Sequence, residues 1–315
     1  MAAQVDDFED EGWTPPAELR THAGVEVPAN MEFFVEPPPE IGELQSVHSS
    51  LRRGKNPMGA TQRTVTAFSV ALVLWLGTWF FLRMLDPAAS TFGHILGAIL
   101  GLIGLAVVFY VTGFKHTCSF IGKQGLARYV LKGSRFAEPV EELLVFEEAT
   151  DLYTGQTRHY TNGVYTGTNY FFRWEDADGR KVLNLSGTFQ SEKGEPKPDD
   201  PFYFAQGGEI AWSIYLLDAL QKELEKHGSV EFKVNKRDAV RVGPGFMEFA
   251  FSGKEQRVDG EQLKHISIGG GTFSFKTADA KWFSSKGKFS FDYSRMSNAR
   301  CFLLVLSSLL GVTFE

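Results

Sequence analysis

The sequence predicts an α+β membrane protein: a two-helix transmembrane hairpin followed by two tandem β-rich units, each closed by a C-terminal helix. Three observations carry this. Two long apolar runs, at 65–85 and 92–114, are separated only by a short Pro-containing turn. Short β-rich runs punctuated by Asn-Gly, Asp-Gly and Pro-Gly pairs fill 116–187 and 229–292. Each strand set then gives way to a segment of helical periodicity.

The apolar runs, TVTAFSVALVLWLGTWFFLRML and TFGHILGAILGLIGLAVVFYVTGF, can each cross roughly 30 Å of hydrocarbon at about 1.5 Å per residue. Both are apolar on every face, unlike a helix on the surface of a soluble domain. Arg52, Arg53, Lys55 and Arg63 precede them, and Lys115, Lys123, Arg128, Lys132 and Arg135 follow, against only Arg83 and Asp86 near the turn. The positive-inside rule therefore predicts a plasma (inner) membrane protein with both termini cytoplasmic and 86–90 outside. Residues 1–45 are acidic and lack an apolar h-region, so the hairpin is expected to be its own insertion signal. His94 and Arg83 lie near the outer helix ends and nothing ionisable sits at mid-span, which argues against an ion or proton path. Cys118 and Cys301 make no disulfide framework.

Charge is uneven along the chain. Of 32 basic and 38 acidic side chains, residues 1–63 hold 5 and 11, whereas 229–315 hold 13 and 9. The acidic, Pro-rich segment 1–63 is expected to be a disordered cytoplasmic tail, because it offers little apolar surface to offset its ordering entropy. Phe8 and Trp13, and then Phe33, Phe34 and Val35 before EPPPE, set aromatics among acids, the pattern of a short docking motif for a basic, apolar groove. A solvating tail with incidental aromatics is the plainer alternative.

Within 64–114, the hairpin, Gly93, Gly97 and Gly101 recur every four residues, with Gly104 following. Such a stripe lets helix backbones approach closely, and Ala67, Ala71 and Thr78 answer it on the first run. The simplest partner is the other arm. A second copy is the alternative, which would make the chain a homo-oligomer or a subunit of an oligomeric membrane complex.

In 115–228 the strand segments are TCSFIG, LARYVLKG, ELLVFEEA, QTRHYT, GVYTGTNYFFRWE and RKVLNLSG, implying six or seven antiparallel strands. A helix follows at about 208–226, with Ile210, Ile214, Leu217, Leu220 and Leu224 on one face and His227-Gly228 as its stop. The plan repeats in 229–315 with VEFKV, AVRVG, FMEFAF, KEQRV, LKHISIG, TFSFKT and KFSFDY. The closing helix there carries Met296, Ala299, Leu303, Leu306 and Leu310 on one face.

Seven strands closed by one helix resembles the pleckstrin-homology-like (PH-like) domain. A hairpin followed by two such units, ending in KFSFDYSRMSNARCFLLVLSSLLG, is similar to bacterial membrane proteins with tandem PH-like domains. The resemblance implies two small β-barrels, each plugged by its helix, and binding rather than chemistry. By that resemblance, phosphoinositide-type contacts would fall on Lys123 and Arg128 in the first unit and on Lys236, Arg237 and Arg241 in the second. Val130 and Ala239 stand where a further basic residue is expected. Generic anionic-lipid contact needs only charge density, which Lys233, Lys236, Arg237 and Arg241 supply; solvated loop charges are the alternative.

Catalytic patterns are weak. Cys118 and His116 share a strand face, and His159 sits among tyrosines, but neither has an orienting third group. Spacings such as CxxC or HExxH do not occur, and SIGGGTF joins two strands without the ending of a phosphate loop. The expectation is a membrane-anchored scaffold, not an enzyme, with no cofactor or metal; an enzyme of unrecognised chemistry, resting on Cys118 or His159, is the further alternative. Its partners would be the lipid bilayer and a protein, with no nucleic acid, and 116–315 should fold alone as a soluble pair of domains.

Overall fold

The computed structural model describes residues 13–53, 59–133, 137–192, 195–269, 271–277 and 287–312. Phe8, Lys55 and Arg135 of the sequence reading lie outside the described residues. Helices α1 (Ala60–Leu85) and α2 (Ser90–Val111) are long and apolar enough to cross a membrane. Their bulky side chains, Phe68, Phe81, Leu102 and Tyr110 among them, are exposed, as the side chains of a membrane-spanning or otherwise covered helix would be. The two helices meet through glycine. A Cβ added to Gly97 would stand 2.6 Å from the Trp75 carbonyl oxygen, and one on Gly101 would stand 2.9 Å from that of Ala71. Gly93 faces Trp79 and Gly104 faces Leu74, so all four glycines turn toward α1. At the hairpin root Arg63 donates to Phe109 O (2.9 Å), a carbonyl in the last turn of α2, and to the Thr112 hydroxyl (3.2 Å).

The hairpin is spliced into a β-sheet. Strand β1 (Leu44–Ser49) precedes α1, β2 (Lys115–Gly122) follows α2, and the two pair antiparallel with Val47 opposite Phe120 and Ser49 opposite Cys118. With β3 (Gly125–Lys132) and β4 (Val140–Val145) they form a sheet in the order β1-β2-β3-β4. Strands β5 (Asp151–Thr161), β6 (Val164–Glu175) and β7 (Lys181–Phe189) form a second sheet, and α3 (Phe202–His227) follows. Asn162 and Gly163, at φ 51° and 79°, turn β5 into β6 with the two positive-φ residues a tight hairpin needs. Leu126 and Leu144 from the first sheet, Phe172 and Trp174 from the second, and Trp212 from α3 share one core.

The second unit repeats the plan. Strands β8 (Val230–Lys233), β9 (Ala239–Gly243), β10 (Phe246–Phe251) and β11 (Lys254–Asp259) make a four-stranded sheet. Strands β12 (Leu263–Gly269), β13 (Thr272–Thr277) and β14 (Lys288–Asp292) make a three-stranded one, and α4 (Ala299–Leu310) closes the chain. Phe249, Phe273, Phe275 and Phe302 dominate its core.

Four expectations need correction. The tail is ordered from residue 13: Phe33 is buried against Trp13 and Phe120 (ring centroids 5.2 and 6.0 Å), and Met31, Ile41 and Val47 fill the same cluster on the outer face of the first sheet. Few aliphatics suffice because that face, with Phe120, Ala127 and Tyr129, supplies the rest of the apolar surface. The first unit therefore begins before the hairpin, and 116–315 lacks its first strand. Among the described residues no strand pairs across the two sheets of either unit, so each is an open pair of sheets rather than a closed barrel; a 3-10 turn at Phe146–Glu148 carries the first chain between them. Finally, α3 does not bury one continuous stripe. Its N-terminal half presents Ala205, Ala211 and Trp212 to the first core and its C-terminal half presents Leu216, Leu220 and Leu224 to the second, which leaves Ile210, Ile214 and Leu217 exposed.

Asn298 knits the units together. Its Oδ1 accepts from Leu152 N (3.0 Å) and Trp212 Nε1 (2.8 Å), its Nδ2 donates to Thr150 O (3.0 Å), and its backbone N donates to Leu152 O (2.8 Å).

Candidate functional site

The inner face of the first sheet changes character along its length. Residues 115, 117, 119 and 121 of β2 alternate onto that face. Ile121 belongs to the core, but toward the hairpin root the face reads Ser119, Thr117 and Lys115. There the two sheets part around a cavity of about 310 Å³, walled by β2, β3, β6, β7 and the loop leading into α3. Arg128 reaches it from β3, Tyr170 from β6, and Asp199 and Asp200 from the loop. Arg128 is ion-paired with Glu142 on β4. Lys115 lies directly across from Lys132, and neither lysine has an ion-pair partner among the described residues.

Two histidines seal one side. His22 is wedged between Ser46 Oγ (2.8 Å) and Ser119 Oγ (3.0 Å), with its ring 5.1 Å from that of Phe204. Burial first, and then neighbouring His48, hold it well below the ordinary imidazole range, so it is neutral at pH 7. His48 is lowered by burial and partly restored by Asp199, 3.3 Å away. Arg52, just before the hairpin, also reaches Asp199 at 3.2 Å and ties the hairpin root to the loop before α3. Tyr170, 6% exposed, lines the cavity, and its hydroxyl makes no hydrogen bond to any described residue. Burial, followed by the nearby Asp200 charge, pushes its pKa up to about 12, so it stays a donor.

The residues singled out from sequence fall elsewhere. Lys233 pairs with Asp151 (2.8 Å), and Arg241 is shared among Glu231, Glu248 and Glu255 (2.8, 2.6 and 3.5 Å). Both line a wide cleft between the units, while Lys236 and Arg237 sit exposed on its rim. That cleft is lined by five carboxylates and four cations, so it is not a basic patch. Phe33 is buried, and Phe34 and Val35 pack partly against the same cluster. Cys118 is fully buried and its thiol is pushed up by that burial, the reverse of an activated nucleophile. His116 bonds Ser50 Oγ at 3.2 Å instead, and His159 is exposed on the β5–β6 arm. Among the described residues no three His, Cys, Asp or Glu side chains converge as a metal site would require.

Sequence reasoning missed the polar cavity. One signal was present, since Lys115, Thr117 and Ser119 alternate on a strand that is otherwise buried. Asp199 and Asp200 gave none, because their position depends on how the loop 195–201 folds back. The arrangement suits recognition of a small polar group rather than bond breaking, since it has donors and acceptors but no activated nucleophile. The chain matches no protein-family model and no curated protein sequence.

Proposed function

We propose that the protein is a membrane-anchored binding scaffold of the inner leaflet, with both termini and both folded units cytoplasmic and each unit built on the PH-like plan. The splicing of the hairpin between β1 and β2 supports the anchoring half of this reading, because the first unit is held to the bilayer by two adjacent strands. The binding half rests on α3. Its exposed Ile210, Ile214 and Leu217 are spaced i, i+4 and i+7, the anchor spacing of a helix that docks in a partner's groove. The same helix belongs to both cores, so a protein docked there would contact the one element the units share. The alternative of a complex assembled through the Gly-rich face of α2 is less favoured, since that face is filled by α1.

Two measurements test this. Both native thiols are buried, so single cysteines introduced at Ala88 and Asp178 can be labelled from either side of intact membranes. Ala88 should react from outside and Asp178 only after the membrane is opened; the reverse would sink the orientation. A photo-crosslinker at Ile214 in the full chain should capture one defined protein that a crosslinker at Lys181 does not. Equal capture at both positions would remove the docking role.

A further inference from the structure

We infer that the cavity at the hairpin root binds a small group carrying both a phosphate and a primary amine, the headgroup of an ethanolamine phospholipid. The observation is a departure from the fold's own rule. The inner faces of paired sheets are apolar, and the second unit obeys this at Val230, Phe232, Val240, Val242 and Met247. Counted from the two-residue turns that follow β2 and β9, the first unit places Ser119 where the second has Val240 and Arg128 where it has Phe249, and β2 runs on beyond them to Thr117 and Lys115. The duplicate keeps apolar, buried side chains at those two positions, while Thr117 and Lys115 fall level with Asp238 and Lys236, before β9 begins.

The lining supplies two poles. Lys115 lines the cavity without an ion-pair partner among the described residues, and Lys132, outside the lining, lies directly across from it on β3, a juxtaposition of like charges that an anion beside Lys115 relieves. Thr117 beside them and the unpartnered Tyr170 hydroxyl add neutral donors, which with the lysine ammonium make a phosphate subsite. From the loop before α3, Asp199 and Asp200 present carboxylate oxygens to the same cavity, Asp200 near Tyr170. Asp199 already serves His48 and Arg52, and Asp200 uses one oxygen on the backbone N–H of Phe202, which leaves its other oxygen as acceptor for an ammonium. With Arg128 tied to Glu142 and Asp199 to Arg52, the charges left over in the lining of this cavity of about 310 Å³ are one ammonium, Lys115, and one carboxylate, Asp200, which match a group that is itself zwitterionic better than one that is purely anionic. A primary amine can donate hydrogen bonds to these carboxylates, which a quaternary ammonium cannot. Lys115, an exposed residue of the lining, comes four residues after α2 ends at Val111, so the lipid source follows from the proposed membrane anchoring.

The test uses the full chain. In detergent micelles it is titrated with glycerophosphoethanolamine, glycerophosphocholine and glycerol phosphate, and in nanodiscs its melting is compared in phosphatidylcholine alone and with added phosphatidylethanolamine or phosphatidylglycerol. Binding of glycerophosphoethanolamine at least about tenfold tighter than the other two is expected, with about a tenfold loss in each of Lys115→Gln, Tyr170→Phe and Asp200→Asn, the scale of one lost charged hydrogen bond. Lys236→Gln should bind as the native chain does, and unchanged melting of the ligand-free variants shows that they remain folded. Stabilisation by phosphatidylethanolamine assigns the site to the lipid, whereas binding of the free compound without it assigns the same chemistry to a soluble phosphoethanolamine. Because the micelle titration does not depend on which way the hairpin crosses, it separates failure of the site from failure of the anchoring. No binding, or an equal response to the glycerol compounds, overturns the inference.

Discussion

Cutting the chain at residue 115 should unfold the first unit, while cutting out the hairpin should not. Removal of residues 1–114 deletes β1 and exposes the outer face of β2 and β3. Met31, Phe33, Ile41, Val47 and Leu51, each at most 8% exposed, leave with it. At about 1.5–3 kcal/mol per buried side chain the loss is about 8–15 kcal/mol. That is an upper estimate, because an unfolded chain already buries part of this surface, yet it equals the entire stability of a typical domain, about 5–15 kcal/mol. Replacing the hairpin by a short linker keeps every one of these contacts. Ser50 N donates to Thr117 O at 2.9 Å, so the two strand ends lie a strand spacing apart and a loop of about 2–5 residues can join Leu51 to Lys115. The spliced chain should be soluble, with a single cooperative urea transition for the first unit. The chain starting at 115 should aggregate, or melt without cooperativity. Equal solubility and equal midpoints for the two would refute the assignment of β1 and of the ordered segment 13–53.

Leucine at both Gly97 and Gly101 should lower the melting temperature of the full chain, since each new side chain starts within 3 Å of an α1 carbonyl oxygen; its size on a native gel should not change, because the stripe contacts the same chain. Asn298, at φ 51°, should be costly to replace. Asn298→Ala strands a buried indole N–H and backbone groups and adds left-handed strain, a loss of about 2–4 kcal/mol by denaturant titration, and Asn298→Gly should recover the strain component only. Burial raises the Glu209 carboxyl to about 7, so between its ordinary value and 7 the folded chain holds a proton that the unfolded chain has lost, and stability falls as pH rises through that window. Glu209→Gln should therefore stabilise by up to about 3 kcal/mol above pH 7 and have no effect at the acid end. His22 runs the other way. Its folded pKa is depressed, so its packing is fully stable above the ordinary value near 6.5 and is lost as pH falls below it; protection from hydrogen exchange over 19–35, taken relative to the intrinsic amide rate at each pH, should fall between about pH 7 and 5, and His22→Gln should flatten that response.

The legible parts of the sequence were those in which a residue's neighbours in the chain decide its fate. Asn162-Gly163 marks a hairpin whatever surrounds it, and the spans announce themselves by length. Segment 13–53 was misread for the opposite reason. Phe33 and Val47 are too sparse to make a core, and become one only against Phe120 and Tyr129, which lie beyond the hairpin. Helix α3 failed similarly: Ile210, Ile214 and Leu217 have the correct period, but Trp212 and Ala211, offset from them around the helix, face the core because the second unit claims the turn that follows. The cavity depends on a loop folding back, and no local pattern encodes where Asp199 and Asp200 come to rest.

The splice also sets a timetable for synthesis. Strand β1 leaves the ribosome about 70 residues before β2 is complete, which at about 5–20 residues per second leaves it without its partner for about 4–15 s. During that wait two very apolar segments must emerge and be taken up, and an unpaired strand nearby is at risk of adding to the wrong edge. The composition of β1, LQSVHS, fits such a delay: only Leu44 and Val47 are apolar, so it gains little by sticking to anything before β2 arrives.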